Sequence, residues 1–408
     1  MKNTQNIAFD TLLIHGGSTT DARTGAVNTP IYQTSTFAQP ALGQNLGYEY
    51  SRTKNPTRDG IESLIAELEG GKYGFAFASG MAAIGTILSL FKSGDCVIIS
   101  HNVYGGTFRI LDKVFANFGI TYKIIDMRDL SALEQAITSD VKALLLETPA
   151  NPLMSVTPLR EVVKIAKTKS ESRKQKILTI VDNTFMTPYL QRPLELGADI
   201  VLHSATKYLG GHSDLVAGLA VVDDEELASK IGFLQNSIGG VLAPFDSFLL
   251  IRGIKTLGLR MQRHCENALA LAEFLSAHSA VERVYYPGLK GFEGYEIHAS
   301  QASRGGGMIS FELKEGYDYK KFFASTEIIV LAESLGGAES LLCHPASMTH
   351  ASIPKDIRAQ MGISDNLIRL SVGIESVSDL IADVSRAIDK SVIDKSAIDK
   401  SSIDKFGR

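Results

Sequence analysis

Between residues 73 and 236 short apolar runs alternate with segments of helical period, and this alternation limits the chain to few folds. Apolar runs fall at 73–78, 95–100, 121–126, 142–146, 177–182, 199–203 and 216–222. Helical spacing falls between them at 79–91, 106–117, 130–138, 158–168 and 224–236. Asp129 stands where a cap for the helix at 130–138 is needed. Strands alternating with helices imply a mostly parallel sheet covered on both faces, an α/β architecture. In such sheets ligands bind beyond the carboxyl ends of the strands. The chemistry is therefore expected just after each run, at Ser79-Gly80-Met81, Tyr104, Asn151, Asp182 and Ser204-Ala205-Thr206-Lys207.

The flanks differ from this centre. Residues 1–57 are rich in turn residues and hold no long apolar run, so they form an arm that must lie on something larger, such as a neighbouring subunit. A helix is expected over 58–69, with Ile61, Leu64, Ile65 and Leu68 on one face and a stop at Gly70-Gly71. These elements make up a large domain over 58–244. A long helical pattern over 245–275, with Pro244 at its start, leads into a second domain reaching residue 388. That domain has strands expected at 281–285, 307–313, 328–331 and 366–372, and helices at 317–325, 355–361 and 376–388, an α+β mixture. The charged run Lys167–Lys176 is expected to be a solvated surface loop. The tail over 389–408 repeats Ile-Asp-Lys-Ser every five residues, at Ile388, Ile393, Ile398 and Ile403. Five residues advance a helix by about 140°, so these isoleucines form no stripe, and a frayed extension is expected.

Bulk properties exclude several classes. The 41 basic and 45 acidic side chains leave a net charge of −4, which gives no field for nucleic acid or an anionic membrane. The cysteines Cys96, Cys265 and Cys343 are far apart and form no CxxC, which speaks against a disulfide framework or a zinc site and for a reducing cytoplasm. The N-terminus lacks a basic-then-apolar leader pattern. No apolar run approaches the roughly 18 residues of a membrane span.

The strand-exit residues match what pyridoxal phosphate (PLP) needs. Lys207, between two hydroxyls and two glycines, is an amine suited to a Schiff base, its basicity lowered by burial and nearby positive charge. Asp182 can face the pyridine nitrogen and keep it protonated. The Gly80 and Met81 amides with the Ser204 and Thr206 hydroxyls can cup a phosphate at a helix N-terminus. Tyr104 can lie over the ring. Each has a plainer counterpart: a turn lysine, a strand-end Asp-Asn turn, a Ser-Gly turn before a packed helix. There is no GxGxxG and no GxxxxGK[ST].

Taken together the segments resemble the Cys/Met-metabolism family of fold-type I PLP enzymes, the cystathionine γ-lyase, β-lyase and γ-synthase group. The resemblance runs from about His15 to Ala387. It is carried by Tyr50-Ser51-Arg52 with Asn55-Pro56-Thr57-Arg58, Ala78-Ser79-Gly80-Met81-Ala82, Tyr104-Gly105-Gly106-Thr107, Glu147-Thr148-Pro149-Ala150-Asn151-Pro152, Val181-Asp182-Asn183-Thr184, Ser204 to His212, Ser334-Leu335-Gly336-Gly337 and Ile368-Arg369-Leu370-Ser371-Val372-Gly373. It implies a seven-stranded type of large-domain sheet, a smaller C-terminal domain and an N-terminal arm that crosses to a neighbour.

The resemblance also implies roles. Lys207 would carry PLP and shuttle protons, with Tyr104 stacked on the ring and assisting. Asp182 would pair with the ring nitrogen, and Gly80, Met81, Ser204 and Thr206 would bind phosphate. Tyr50 and Arg52 would reach the phosphate of the neighbouring subunit in a homotetramer built from two dimers. Arg369 would clamp the substrate α-carboxylate, helped by Ser334 and Asn151. Glu49, Glu339 and Arg109 complete the implied substrate contacts, the two acids near a distal ammonium. Lys54, where many members have Gly, the 167–176 run and the repeated tail depart from the pattern away from the chemistry. Gly106 stands where methionine γ-lyases carry Cys, which removes that activity. The expected reaction is γ-elimination of L-cystathionine to cysteine, 2-oxobutyrate and ammonia, with β-elimination beside it. A β-lyase and a γ-synthase joining an O-acylhomoserine to cysteine are the alternatives. An inactive binding protein of the same fold conflicts with the presence of Lys207, Asp182, Tyr104 and Arg369 together.

Overall fold

The computed structural model describes residues 7–17, 20–21, 23–349 and 355–393. The chain opens with α1 (Phe9–His15) and, after an extended stretch, α2 (Pro56–Glu69). It continues through β1 (Tyr73–Phe77), α3 (Gly80–Leu88), β2 (Cys96–Ser100), α4 (Gly105–Lys113) and β3 (Thr121–Ile125). Next come α5 (Leu130–Ala136), β4 (Val141–Glu147), α6 (Leu159–Arg173), β5 (Leu178–Asp182), α7 (Thr187–Leu190), β6 (Ile200–Ser204), β7 (Gly218–Val222) and α8 (Glu225–Ile238).

These strands form one seven-stranded sheet in the order β1-β7-β6-β5-β4-β2-β3. β7 runs antiparallel to both its neighbours, and the remaining pairings are parallel. Alternate residues point to opposite faces, and both faces are dry. Val97, Ile99, Leu145, Ile180 and Leu202 pack under α3, α4 and α8. Ile98, Leu144, Leu146 and Val181 pack under α5 and α6. After β2 the chain goes to one side, to β3, and then crosses back to β4 on the other. Such a reversal opens a crevice at the strand ends.

The remainder comprises α9 (Pro244–Ile254), α10 (Leu257–Ala277), β8 (Val281–Tyr285), α11 (Tyr295–Gln301), β9 (Met308–Leu313), α12 (Tyr319–Ser325), β10 (Val330–Leu331), β11 (Leu341–Cys343), α13 (Lys355–Gln360), β12 (Leu367–Ser371) and α14 (Val377–Lys390). Its five strands form a second sheet in the order β10-β11-β12-β9-β8. α10 and α14 cover that sheet around Phe311, Phe322, Leu370 and Leu380.

Four expectations differ from the structure. The run 167–176 is mostly helical, because α6 continues to Arg173 and ends at Lys174 in the left-handed region. Lys, Glu and Arg are good helix formers, and here they cover the exposed face while Ala166 is buried. The 245–275 pattern is two helices. The break at Lys255-Thr256 is filled by Arg260, whose Nη2 donates to the Gly253 carbonyl at 2.8 Å and whose Nε donates to Thr256 Oγ1 at 3.1 Å. The first part of the arm, α1, lies on the chain's own core, with Leu13 buried and Phe9 edge-on to Tyr189. The tail does not fray at once: Ile388 and Ser391 are fully buried, and Ile393 N donates to Gly316 O at 2.9 Å. Residues 394–408 of the tail lie outside the described residues.

Candidate active site

At the carboxyl ends of β4, β5 and β6 lies a cavity of about 310 Å³, closed from the other side by the 333–335 segment and Arg369. Lys207, Tyr104, Asp182, Asn151, Ser334 and Arg369 all line it. Residues more than 260 positions apart thus converge on a space the size of a small cofactor with part of its substrate.

β6 ends at Ser204 and the chain turns through Ala205-Thr206-Lys207. Two contacts fix this turn. Arg260 Nη1 donates to the Tyr208 carbonyl at 2.7 Å. The Gly336 turn lies so close that a Cβ there would stand 2.7 Å from Tyr208 N. Lys207 Nζ then donates to Ser334 Oγ at 2.7 Å. Burial, and after it the positive charge of Arg369, lowers the amine from 10.5 to about 8, with Glu333 opposing. An amine near 8 is a competent nucleophile and proton carrier at neutral pH.

Beside it, Ser79 caps α3 by accepting from Ala82 N at 3.0 Å. That leaves the Gly80 and Met81 amides at the open end of a helix. The cradle is narrow: a Cβ on Gly80 would come within 3.0 Å of Ser204, and one on Gly218 within 2.1 Å of the Ser79 carbonyl. The Thr206 hydroxyl faces the same space while bonded to Ala217, accepting from its N–H at 3.1 Å.

Asp182 closes β5 and is register-paired with Glu147, which closes β4. Burial pushes both carboxyls up, Glu147 the more strongly because the Asp182 charge adds to it. Bonds from Thr184 N (3.0 Å) and Thr184 Oγ1 (2.5 Å) oppose the effect at Asp182. Two adjacent buried carboxyls call for a cation, and a protonated ring nitrogen supplies one. Among the described residues no group of His, Cys, Asp and Glu could hold a metal ion. Glu147 was not singled out from the sequence, although an acid ending an apolar run was the visible signal. Its Oε1 accepts from Tyr104 N at 2.6 Å, which sets where α4 begins and hence where the Tyr104 ring stands. Gly106 completes that placement: a Cβ there would be 2.3 Å from Tyr104 Cε1 and 2.7 Å from Met81 Sδ.

Arg369 is 3% exposed. Its Nη1 donates to Asn151 Oδ1 at 3.0 Å and its Nη2 to Ser334 O at 3.1 Å, while buried Nε has no partner among the described residues. Ser334 sits at φ +89°, a strained setting for a residue with a Cβ, and it holds both the amine and the guanidinium. An amine, a buried pair of carboxyls, an amide-and-hydroxyl cradle and a buried guanidinium fit PLP and an amino acid.

Five residues expected at the site do not line this cavity. Tyr50 is exposed, and Arg52 turns to Asn236, donating to its carbonyl at 2.7 Å. Glu49 accepts from Asn45 Nδ2 at 2.6 Å in the arm. Arg109 is exposed on α4, and Glu339 lies beyond the 334–337 turn.

Fold and site together define a PLP-dependent enzyme of fold type I. The profile of the Cys/Met metabolism PLP-dependent enzymes matches residues 10–389, and the chain belongs to that family. A cystathionine beta-lyase of Lactococcus lactis subsp. cremoris is 57% identical over 383 residues, 94% of this chain and 99% of that protein. A cystathionine gamma-lyase of Bacillus subtilis is 52% identical, covering 93% of this chain and 98% of its own. The crystal structure of cystathionine gamma-lyase from Lactobacillus plantarum complexed with L-serine superposes with a TM-score of 0.91 at 52% identity, covering 94% of this chain and 99% of that one. No helix among the described residues is long and apolar enough to cross a membrane.

Proposed function

We propose that this enzyme cleaves L-cystathionine by γ-elimination, taking up water to yield cysteine, 2-oxobutyrate and ammonia, with β-elimination as a second activity. The observation that carries this reading is Ser334, which accepts from Lys207 Nζ and from Arg369 Nη2. A substrate α-carboxylate on Arg369 is thereby held at a fixed distance from the one amine in the cavity. PLP, when bound, supplies the electron sink that makes the α-proton removable. Lys207 takes that proton and can return it further along the side chain. Arg369 orients the substrate bidentately, and Asn151 holds the guanidinium in plane. Tyr104 covers the ring and assists transfer, Asp182 faces the ring nitrogen, and Gly80, Met81, Ser204 and Thr206 receive the phosphate. Relatives named as β-lyases favour a second reading, in which homocysteine, pyruvate and ammonia predominate.

The same reading assigns an arm over 1–57, a PLP-binding domain over 58–244 and a C-terminal domain over 245–388. It makes the enzyme a homotetramer in which Tyr50 and Arg52 serve the neighbour's phosphate, and Glu49, Glu339 and Arg109 the substrate. Val27, Leu42 and Leu46 support it, being 84%, 102% and 79% exposed in the single chain, a poor use of apolar side chains unless another subunit covers them. Three free, buried cysteines suit a reducing cytoplasm.

Product analysis tests the reaction. L-Cystathionine should give 2-oxobutyrate faster than pyruvate. The reverse ratio would establish the β-lyase reading. Rapid cystathionine formation from O-acetyl- or O-succinylhomoserine and cysteine, with negligible breakdown, would overturn both.

A further inference from the structure

A buried polar chain runs directly behind the two site carboxyls. Its hub is Glu69, the last residue of α2, with no exposed surface. Glu69 Oε1 lies 2.6 Å from His203 Nε2, and His203 on β6 is equally enclosed. The same oxygen accepts from Asn183 Nδ2 at 3.0 Å. Asn183 Nδ2 also reaches the Gln191 carbonyl at 2.7 Å, and Gln191 Nε2 returns to Asn183 Oδ1 and to the Thr148 carbonyl, both at 3.1 Å. The chain therefore grips the residue after Glu147, the residue after Asp182 and the residue before Ser204.

Stability alone gives no reason for this arrangement. A carboxylate at a helix C-terminus meets the negative end of the dipole. A buried ion pair is often matched or bettered by apolar residues of the same volume. What the pair does provide is position. Consecutive residues at a strand end point to opposite sides, so locking Asn183 on one side fixes Asp182 on the other.

We propose that Glu69 and His203 are positioning residues for Asp182, acting through Asn183 and the end of β6 to hold the ring-facing carboxylate and so set how tightly PLP is retained. The proposal rests on Asp182 as the ring-facing carboxylate. The experiment compares wild type, Glu69→Gln, His203→Gln and Asp182→Asn holoenzymes, and each of the first two substitutions combined with Asp182→Asn. The PLP dissociation constant is measured by equilibrium dialysis and the Tm with and without PLP. We expect Glu69→Gln to weaken PLP binding about tenfold, and to change it by less than about twofold once Asp182→Asn is present, because residues acting through one hydrogen-bond network are non-additive. Equal weakening in both backgrounds, or a lowered Tm with unchanged affinity in a folded variant, would overturn the proposal. If Glu69→Gln does not fold, His203→Gln makes the same comparison from the other end of the bond. Unchanged affinity in Asp182→Asn itself would instead remove the assignment of Asp182, and the proposal with it.

Discussion

Lys207 carries a cost that its chemistry requires. In the unfolded chain its amine keeps its proton up to 10.5, whereas in the folded chain it loses it near 8. Between those values the unfolded state binds more protons, so the folded state gains stability as pH rises through that window. Below about 8 the buried ammonium opposes folding in full. Lys207→Met should abolish turnover and raise the Tm of the cofactor-free protein by ~2 °C at pH 7, a gain that shrinks between pH 8 and 10.5. Calorimetry across that range checks it, and a gain independent of pH would refute the assignment. Gly106 is the second residue with a measurable consequence. Gly106→Cys puts a Cβ 2.3 Å from the Tyr104 ring, so the ring must leave its place. Cystathionine cleavage should fall by about tenfold or more in kcat/KM; unchanged kinetics would show that the ring position does not matter.

Among the elements, α14 does more than cover the small sheet. Asp383 is fully buried and accepts from the backbone amides of Glu327, Ile328 and Ile329 at 2.9, 3.1 and 3.0 Å, with Arg386 beside it. It pins the segment that leads into β10 and on to Ser334. Asp383→Ala orphans three donors and should cost about 3 kcal/mol in denaturant unfolding. The sheet of seven strands was legible in the sequence because each strand is a short apolar run bounded by turns. The break at Lys255-Thr256 was not, because helical period continues across it and the cause is Arg260 meeting Tyr208, a contact made across the fold. β11 escaped notice for another reason: three residues are too few to show a period. At the site, Lys207, Asp182 and Ser204 were legible as strand exits. Glu147 carried a signal, an acid ending an apolar run, but no role followed from it, whereas Glu69 ends a helix and only its burial distinguishes it from a surface acid.

For the whole molecule, the arm is the part a single chain does not satisfy. Arg52 donates to Asn236 and lies over the Tyr50 ring at 5.7 Å, and Val27, Leu42 and Leu46 of the arm face outward. If Arg52 serves a neighbour's phosphate, mixing Arg52→Ala subunits with Lys207→Ala subunits should restore up to about a quarter of wild-type activity from two inactive parents, by random pairing of shared sites. Confirmed exchange of subunits without recovery would count against sharing. The reversed strand β7 has a consequence of another kind. Among the described residues β1 forms its ladder with β7, Phe77 opposite Gly218, and its other edge is bridged at Phe77 by Val241, which comes later still in the chain. Roughly 140 residues must leave the ribosome after β1 before its partner exists, which at about 10 residues per second is on the order of 15 seconds. For that time Tyr73–Phe77 is an apolar strand with two open edges on a nascent chain. The first strand made is the last that can be placed, and it is there that slow translation or a missing chaperone would be felt.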